Sequence, residues 1–326
     1  MIVILCSSKD DYVLRLIDWL KHFKCEYVKI DFDDYSYSDF EVIFKNNKLK
    51  IILKLHSNQT IDFDDVSFFF FRSGRLLKKT FIKSESIFDH QIASNYFVFD
   101  QDTVIDFVYS QIQKKSLGWL NQKPLNKLSQ LHAANKCGLD IPETFILNSK
   151  KELKENINTK EIVIKAIQEN IFYQTDDAIY VQRVELVNLT EIPDFFEATL
   201  FQQKIDKKLE IRCFYLDGNC YCIASVGECD TIDVRDNYDN QSYVKIELNN
   251  EVILKIQRFM NEIGLQSGSL DLILSSENNI LFLEVNPEGQ YEWVSVFGGY
   301  NIDKILAEFL IEKENNYLKL KELQHV

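Results

Sequence analysis

Ser269-Leu270-Asp271-Leu272-Ile273-Leu274, then a polar turn from Ser275 to Asn279, then Ile280-Leu281-Phe282-Leu283-Glu284-Val285-Asn286-Pro287, is the stretch on which the reading turns. Two apolar runs about a short polar segment read as a β-hairpin. A hairpin closed by that turn, with Asp271 taken across from Glu284, puts their Cβ atoms roughly 5 Å apart and Asn286 two residues further along the same face. Facing carboxylates repel, and the apolar neighbours raise the cost of their charge. A hard divalent cation between them removes the conflict, with the Asn286 carbonyl as a third oxygen. Mg2+ takes few carboxylates together with substrate phosphates, so the set suits a Mg-nucleotide. The competing reading is three ordinary polar residues on the wet face of a hairpin. The turn Pro287-Glu288-Gly289-Gln290, which interrupts an otherwise regular strand, favours a site.

Basic residues on neighbouring strands fit the same chemistry. Glu210 and Arg212 alternate on one face of Leu209–Leu216. A salt bridge between strands would explain them, and so would a guanidinium fork holding a phosphoryl group. Lys165 sits in the middle of the apolar strand Ile162-Val163-Ile164-Lys165-Ala166-Ile167, where a lysine either blunts a sheet edge or meets an anion. Arg72 and Arg75 follow the strand Phe68–Phe71, and Asp233 and Arg235 lie in the polar segment Cys229–Tyr243. Arginines in such loops either hold a carboxylate substrate or are simply solvated.

Working outward, residues 1–117 read as an α/β lobe. The strand Ile2–Leu5 leads into a helix with Val13, Leu16, Ile17, Leu20 and Phe23 at helical spacing. Strands follow at Tyr27–Ile30, Ile51–Leu55 and Ser67–Phe71, and helix over much of Glu85–Lys115 with Asp102 or Thr103 as an internal cap. The helix opening at Asn126-Lys127 stops at Gly138, with Pro142 just beyond. Later strands occupy Glu161–Ile167, Ala178–Val184, Ala198–Gln203, Leu209–Leu216 and Cys220–Val226, the last two joined by an Asp217-Gly218 turn. A helix ends at Gly264, the hairpin follows, and a helix over Ile302–Ile311 closes the fold.

Composition narrows the partners. The net charge is −13 and the basic residues are scattered, which excludes the basic stripe a nucleic-acid binder needs. Seven cysteines without a CxxC pair argue for reduced thiols and a cytoplasmic address rather than a zinc knuckle. No apolar run approaches a membrane span. Walker A, GxGxxG and GxSxG motifs are absent from the sequence.

Taken in chain order, these pieces resemble the ATP-grasp superfamily. The order is an α/β lobe, the Asn126-Lys127 helix, Lys165, a hinge at Phe201–Ile205, Glu210-Ile211-Arg212, Asp271, and Glu284-Val285-Asn286-Pro287. Asn286-Pro287-Glu288-Gly289-Gln290 is similar to the graspetide synthetases, the microviridin-type and grasp-with-spasm peptide ligases. Asp233-Val234-Arg235 resembles their Asp-aromatic-Arg loop. The resemblance implies a mixed α/β (α+β) ATP-grasp fold: an N-terminal lobe over 1–117, a central subdomain over 118–197, and a C-terminal subdomain over 198–326 with the Mg-ATP site. It further implies that Lys127 and Lys165 contact nucleotide phosphates and that Gln203, Lys204 and Ile205 offer backbone to adenine. Glu210 would belong to the nucleotide site, and Arg212 would stabilise the transferred phosphoryl group. Asp271, Glu284 and Asn286 would hold Mg2+, with Arg72, Asp233 and Arg235 on the substrate side. Three departures stand out: Gln168–Asp177 lacks the glycines of a phosphate lid, Gln203 replaces an acidic hinge residue, and Val234 replaces an aromatic one.

The implied activity uses ATP and Mg2+ to activate Asp or Glu side chains of a ribosomal precursor peptide, leader and core, and joins them to Ser or Thr as esters or to Lys as amides. A ligase for free amino acids or glutamate addition is the alternative enzyme, and a catalytically silent peptide-binding module the alternative of another class. A homodimer is an open expectation.

Overall fold

A computed structural model of the chain describes residues 1–7, 10–31, 37–55, 57–72, 87–121, 125–157, 161–167, 172–174, 179–181, 184–226 and 242–324. It divides into two compact units, Met1–Lys123 with Asn301–Val326, and Pro124–Tyr300.

The first unit holds β1 (Ile2–Cys6), α1 (Asp11–His22), β2 (Tyr27–Asp31), β3 (Tyr37–Lys45), β4 (Lys48–Leu55), β5 (Thr60–Asp62), β6 (Phe68–Phe71), α2 (Ile87–Ile112) and β7 (Ser116–Leu117). A parallel sheet runs β2-β1-β6-β7, and β3-β4-β5 form a separate antiparallel sheet. Every residue of β1 and β6 is buried, as befits parallel strands covered on both faces. Asp10 caps α1 through the amides of Tyr12 and Val13, and Val13, Leu16, Ile17 and Leu20 form its buried stripe.

Two helices differ from the sequence expectation. α2 runs without a break through Asp102 and Thr103, because the Thr103 hydroxyl donates back to the Phe99 carbonyl at 2.9 Å instead of capping a new helix. The terminal helix extends from Ile302 to Gln324 rather than stopping at Ile311. It packs with the first unit, although residues 198–326 read as one lobe. Phe309 meets Phe68 edge-on at 5.8 Å between centroids, and Asp303 meets Arg15 at 3.3 Å. Its distal, polar half is tied down by Tyr317 on the Asp64 carbonyl and by Lys321 on Asp65 at 2.8 Å.

The second unit holds α3 (Lys127–Lys136), β8 (Thr144–Ser149), α4 (Lys150–Asn156), β9 (Glu161–Lys165), β10 (Phe172–Gln174), β11 (Ile179–Val181), β12 (Glu185–Asn188), β13 (Phe195–Gln203), β14 (Lys207–Leu216), β15 (Asn219–Val226), β16 (Ser242–Ile246), α5 (Asn250–Glu262), β17 (Ser267–Ser275), β18 (Ile280–Asn286) and α6 (Glu292–Gly298). Its two larger sheets run β12-β9-β13-β8 and β16-β15-β14-β17-β18. Leu153, Ile162, Ile192 and Phe201 fill the core of the first. On the second, the apolar face of α5 packs Phe259 against Phe282, with ring centroids 4.7 Å apart. The Asp217-Gly218 turn links β14 to β15 with φ of 44° and 95°, the left-handed pair that a tight hairpin requires. Among the described residues no helix is long and apolar enough to cross a membrane, and none of the six described cysteines is in a disulfide.

Candidate functional site

β14, β17 and β18 lie side by side, and their register assembles the site. Arg212 pairs across the strands with Asp271, and Asp271 with Glu284. Ser269 and Asn286 are the next pair on that face. The register is not that of a simple hairpin. Pairing runs Leu274↔Ile280, Ile273↔Leu281 and Leu272↔Phe282, then shifts so that Asp271 meets Glu284. Leu283 is the extra residue, a β-bulge. Without it Leu283 would face Asp271, and Glu284 would turn to the opposite side of the sheet. Gly268 allows the close approach beside this bulge, since a Cβ there would lie 2.9 Å from Val285 Cγ2.

Each acid has a basic partner. Asp271 is in ion contact with Arg212, and Glu284 Oε2 lies 2.9 Å from Lys127 Nζ. Lys127 begins α3, whose N-cap Asn126 accepts from the amides of Leu128 and Ser129. Glu210, one position along from Arg212 on the same face, is held by Lys207. Lys165, at the end of β9, completes the group. Burial lowers its pKa, against the attraction of Glu284, and Lys127 adds to the lowering. Burial pushes the Asp271 carboxyl up; Arg212 opposes this and the Glu284 charge adds to it. Burial acts on Glu284 in the same sense, but Lys127 and then Lys165 and Arg212 outweigh it and leave its pKa below the ordinary carboxylate value. Asp271 in turn keeps Arg212 firmly charged.

The residues present suit Mg2+. The face offers the carboxylates of Asp271 and Glu284 and the amide oxygen of Asn286. That oxygen accepts from the Glu288 amide at 3.0 Å and keeps a second lone pair. All are hard oxygen donors, few in number, as Mg2+ prefers when ligand oxygens complete its octahedron. Among the described residues no group of three or more His, Cys, Asp or Glu side chains is arranged to hold a metal. Ser269 Oγ, opposite Asn286, is buried with no hydrogen-bond partner among the described residues. It is an orphan hydroxyl on the face where a hydrated ion would sit.

The remaining expected residues are placed as follows. Gln203 ends β13, and its amide is engaged by the Glu143 carbonyl at 2.9 Å, so that donor is not offered to a ligand. Lys204 pairs with Glu161 at 2.9 Å, and Ile205 follows in the link to β14. Arg72 is buried at the end of β6 rather than displayed in a loop. Its Nε lies 3.3 Å from Asp10 Oδ2, and its guanidinium covers the Tyr12 ring at 4.4 Å. Arg75, Asp233 and Arg235 lie outside the described residues. The sequence reading passed over Gln130, Lys207 and Ser269. Gln130 was findable, because it lies one helical turn after Lys127 on the face that α3 buries.

Neither a protein-family model nor a curated protein sequence matches this chain. Solved structures do. A RiPP-associated ATP-grasp ligase of Chryseobacterium gregarium, in complex with ADP and a leader and core peptide, superposes with a TM-score of 0.74 at 20% identity over 96% of both chains. The macrocyclase MdnC of Microcystis aeruginosa MRC, bound to the precursor peptide MdnA, gives 0.66 at 20% identity over 95% of this chain and 99% of that one. A D-alanine–D-alanine ligase of Bacillus anthracis gives 0.52 at 13% identity over 99% of each. These likenesses extend over nearly the whole of both chains in each comparison, and the chain has the ATP-grasp fold.

Proposed function

We propose that this chain is an ATP-dependent ligase that activates Asp or Glu side chains of a precursor peptide and links them to Ser, Thr or Lys side chains as macrocycles. The observation that carries the reading is the pairing of Asp271 with Glu284, flanked by Arg212, Lys127 and Lys165, on an ATP-grasp fold. Two acids on one sheet face, met by a cation from the same sheet, one from α3 and one from β9, match a Mg-triphosphate better than they match a structural ion-pair network. Such a network needs neither the bulge nor the orphan Ser269 hydroxyl.

Asp271, Glu284 and Asn286 would hold Mg2+, which supplies charge neutralisation at the phosphates when bound. Lys127 and Lys165 are within reach of the same acids, and would turn from carboxylate to phosphate oxygens as the nucleotide enters. The backbone of Gln203–Ile205 is assigned to adenine through groups other than the Gln203 amide. Arg212, with its rigid fork, steadies the phosphoryl group in flight. The γ-phosphoryl passes from ATP to the peptide carboxylate, giving ADP and an acyl phosphate. A hydroxyl or amine then attacks the acyl carbon, phosphate leaves, and the peptide has lost one water per ring. The fold's role is alignment and exclusion of bulk water from the acyl phosphate.

The peptide is preferred over a free amino acid because the RiPP-associated ligase gives the higher TM-score, 0.74 against 0.52 for the D-alanine ligase. Incubation with Mg-ATP and acidic, hydroxyl-rich candidate peptides, read by mass spectrometry, tests it. Loss of one water mass per ring with matching ADP release supports the proposal. ADP release driven by free amino acids alone, with every peptide unchanged, rejects it.

A further inference from the structure

We infer that Gln130 holds β18 in its bulged register and thereby positions Glu284 against Asp271; the consequence for metal rests on the reading of that face as the Mg-nucleotide site. In a regular strand, amides on one edge point outward at every second residue. On β18 the amides bonded outside the hairpin are Phe282, which donates to the Asp140 carbonyl at 2.8 Å, and Val285, which donates to Gln130 Oε1 at 2.9 Å. They are three residues apart. That spacing is the mark of the bulge at Leu283, where pairing passes from Leu272↔Phe282 to Asp271↔Glu284. In the unbulged register the outward amide would belong to Glu284, and its carboxylate would point away from Asp271.

Gln130 is built for this task. It is buried, and its Nε2 donates to the Leu125 carbonyl at 3.2 Å, which fixes which end of the amide faces β18. One turn earlier on α3, Lys127 reaches Glu284 from the same helix face. The face thus carries both the acceptor that selects the register and the cation that meets the side chain so placed. A buried amide left without an acceptor is costly, so removing Oε1 favours slippage or fraying of β18 at Glu284.

The test uses the full chain and two variants, Gln130→Met, which fills the space without an acceptor, and Gln130→Glu, which keeps one. Hydrogen exchange at the Val285 amide and ADP affinity with and without Mg2+ are measured on all three. With Gln130→Met, Val285 exchange is expected to accelerate at least ~10-fold. The Mg2+-dependent gain in ADP affinity is expected to fall ~10-fold while Mg2+-free affinity is kept, as for loss of an outer-shell partner of a metal ligand; Gln130→Glu restores both. Unchanged Val285 exchange in Gln130→Met, or a Glu variant no better than Met, overturns the inference. If Gln130→Met loses protection throughout the chain, Gln130→Glu decides: wild-type protection at Val285 and wild-type Mg2+ dependence support the role, and their loss refutes it. A wild-type chain without Mg2+-dependent ADP binding, but with Val285 exchange governed by Gln130, removes the functional reading and leaves the register role standing.

Discussion

Asp271 faces Glu284 because Leu283 is inserted between Phe282 and Glu284 as a bulge, so a local irregularity of β18 brings two carboxylates to the same place on the sheet. A stability-driven design would avoid that pairing, since like charges directly opposite one another weaken a sheet. Arg212 and Lys127 compensate each acid separately. The arrangement agrees with the proposal that Asp271 and Glu284 would share a cation.

Neutralising either acid should remove turnover while preserving the fold. Asp271→Asn and Glu284→Gln are nearly isosteric and keep most of the polar contacts with Arg212 and Lys127. ATP-dependent ADP release should drop by ~100-fold or more. Circular dichroism should stay within that of the parent, which separates a lost ligand from a lost fold.

Arg212→Lys keeps the charge and loses the planar fork. ADP release per enzyme is expected to fall by ~10²- to 10³-fold, with nucleotide affinity changed far less, because a transferring phosphoryl group needs directed donors more than bulk charge. Parallel losses in affinity and rate would assign Arg212 to ground-state binding.

Lys165 is the clearest case of a residue kept at the expense of stability. Its folded pKa lies below the ordinary lysine value through burial. The protonated side chain therefore opposes folding at neutral pH, and that penalty fades as pH rises through the folded pKa towards the unfolded one. Lys165→Met should stabilise the nucleotide-free chain by about 1 kcal/mol, seen as a Tm higher by ~2–4 °C. It should also weaken ATP binding. A lower Tm would show that the lysine's attraction to Glu284 exceeds its desolvation.

Cys25 offers a pH readout away from the site. Burial, and then the hydrogen bond to Glu314 at 3.1 Å, push its thiol up to about 12. The raised pKa means its stabilising contribution is complete below the unfolded value and declines as pH climbs from about 9 to about 12. At pH 9 the thiol should alkylate slowly in the native chain. Glu314→Gln, which removes the charge but keeps a hydrogen-bonding group, should speed alkylation. Equal rates in the two would show that burial alone protects the sulfur.

Much of this site was legible in the sequence. The polar residues Asp271, Glu284 and Asn286 interrupt apolar runs at intervals that only a hairpin brings together, and Lys165 and Arg212 stand out against apolar strands because charge there demands a reason. The fold class followed from the order of these elements. What stayed hidden depends on tertiary contact. The expected hairpin paired the right acids, but a symmetric one would set Leu283 across from Asp271; the bulge that achieves the pairing sits where Gln130 and Asp140, remote in sequence, supply acceptors to β18. Arg72 looked like a loop residue because its partner Asp10 lies 62 positions away in the chain, at the N-cap of α1. The length of the terminal helix was missed because its last turns are polar, and its anchors at Asp64 and Asp65 belong to a different part of the chain.

The most direct measurement is calorimetric titration of ADP into the wild-type chain and into Asp271→Asn, each with Mg2+ and with a chelator. Metal held on the face shared by Asp271 and Glu284 predicts at least ~10-fold tighter binding with Mg2+ in the wild type and no such gain in the variant. Equal wild-type affinity in both solutions, or an undiminished Mg2+ gain in Asp271→Asn, would contradict it.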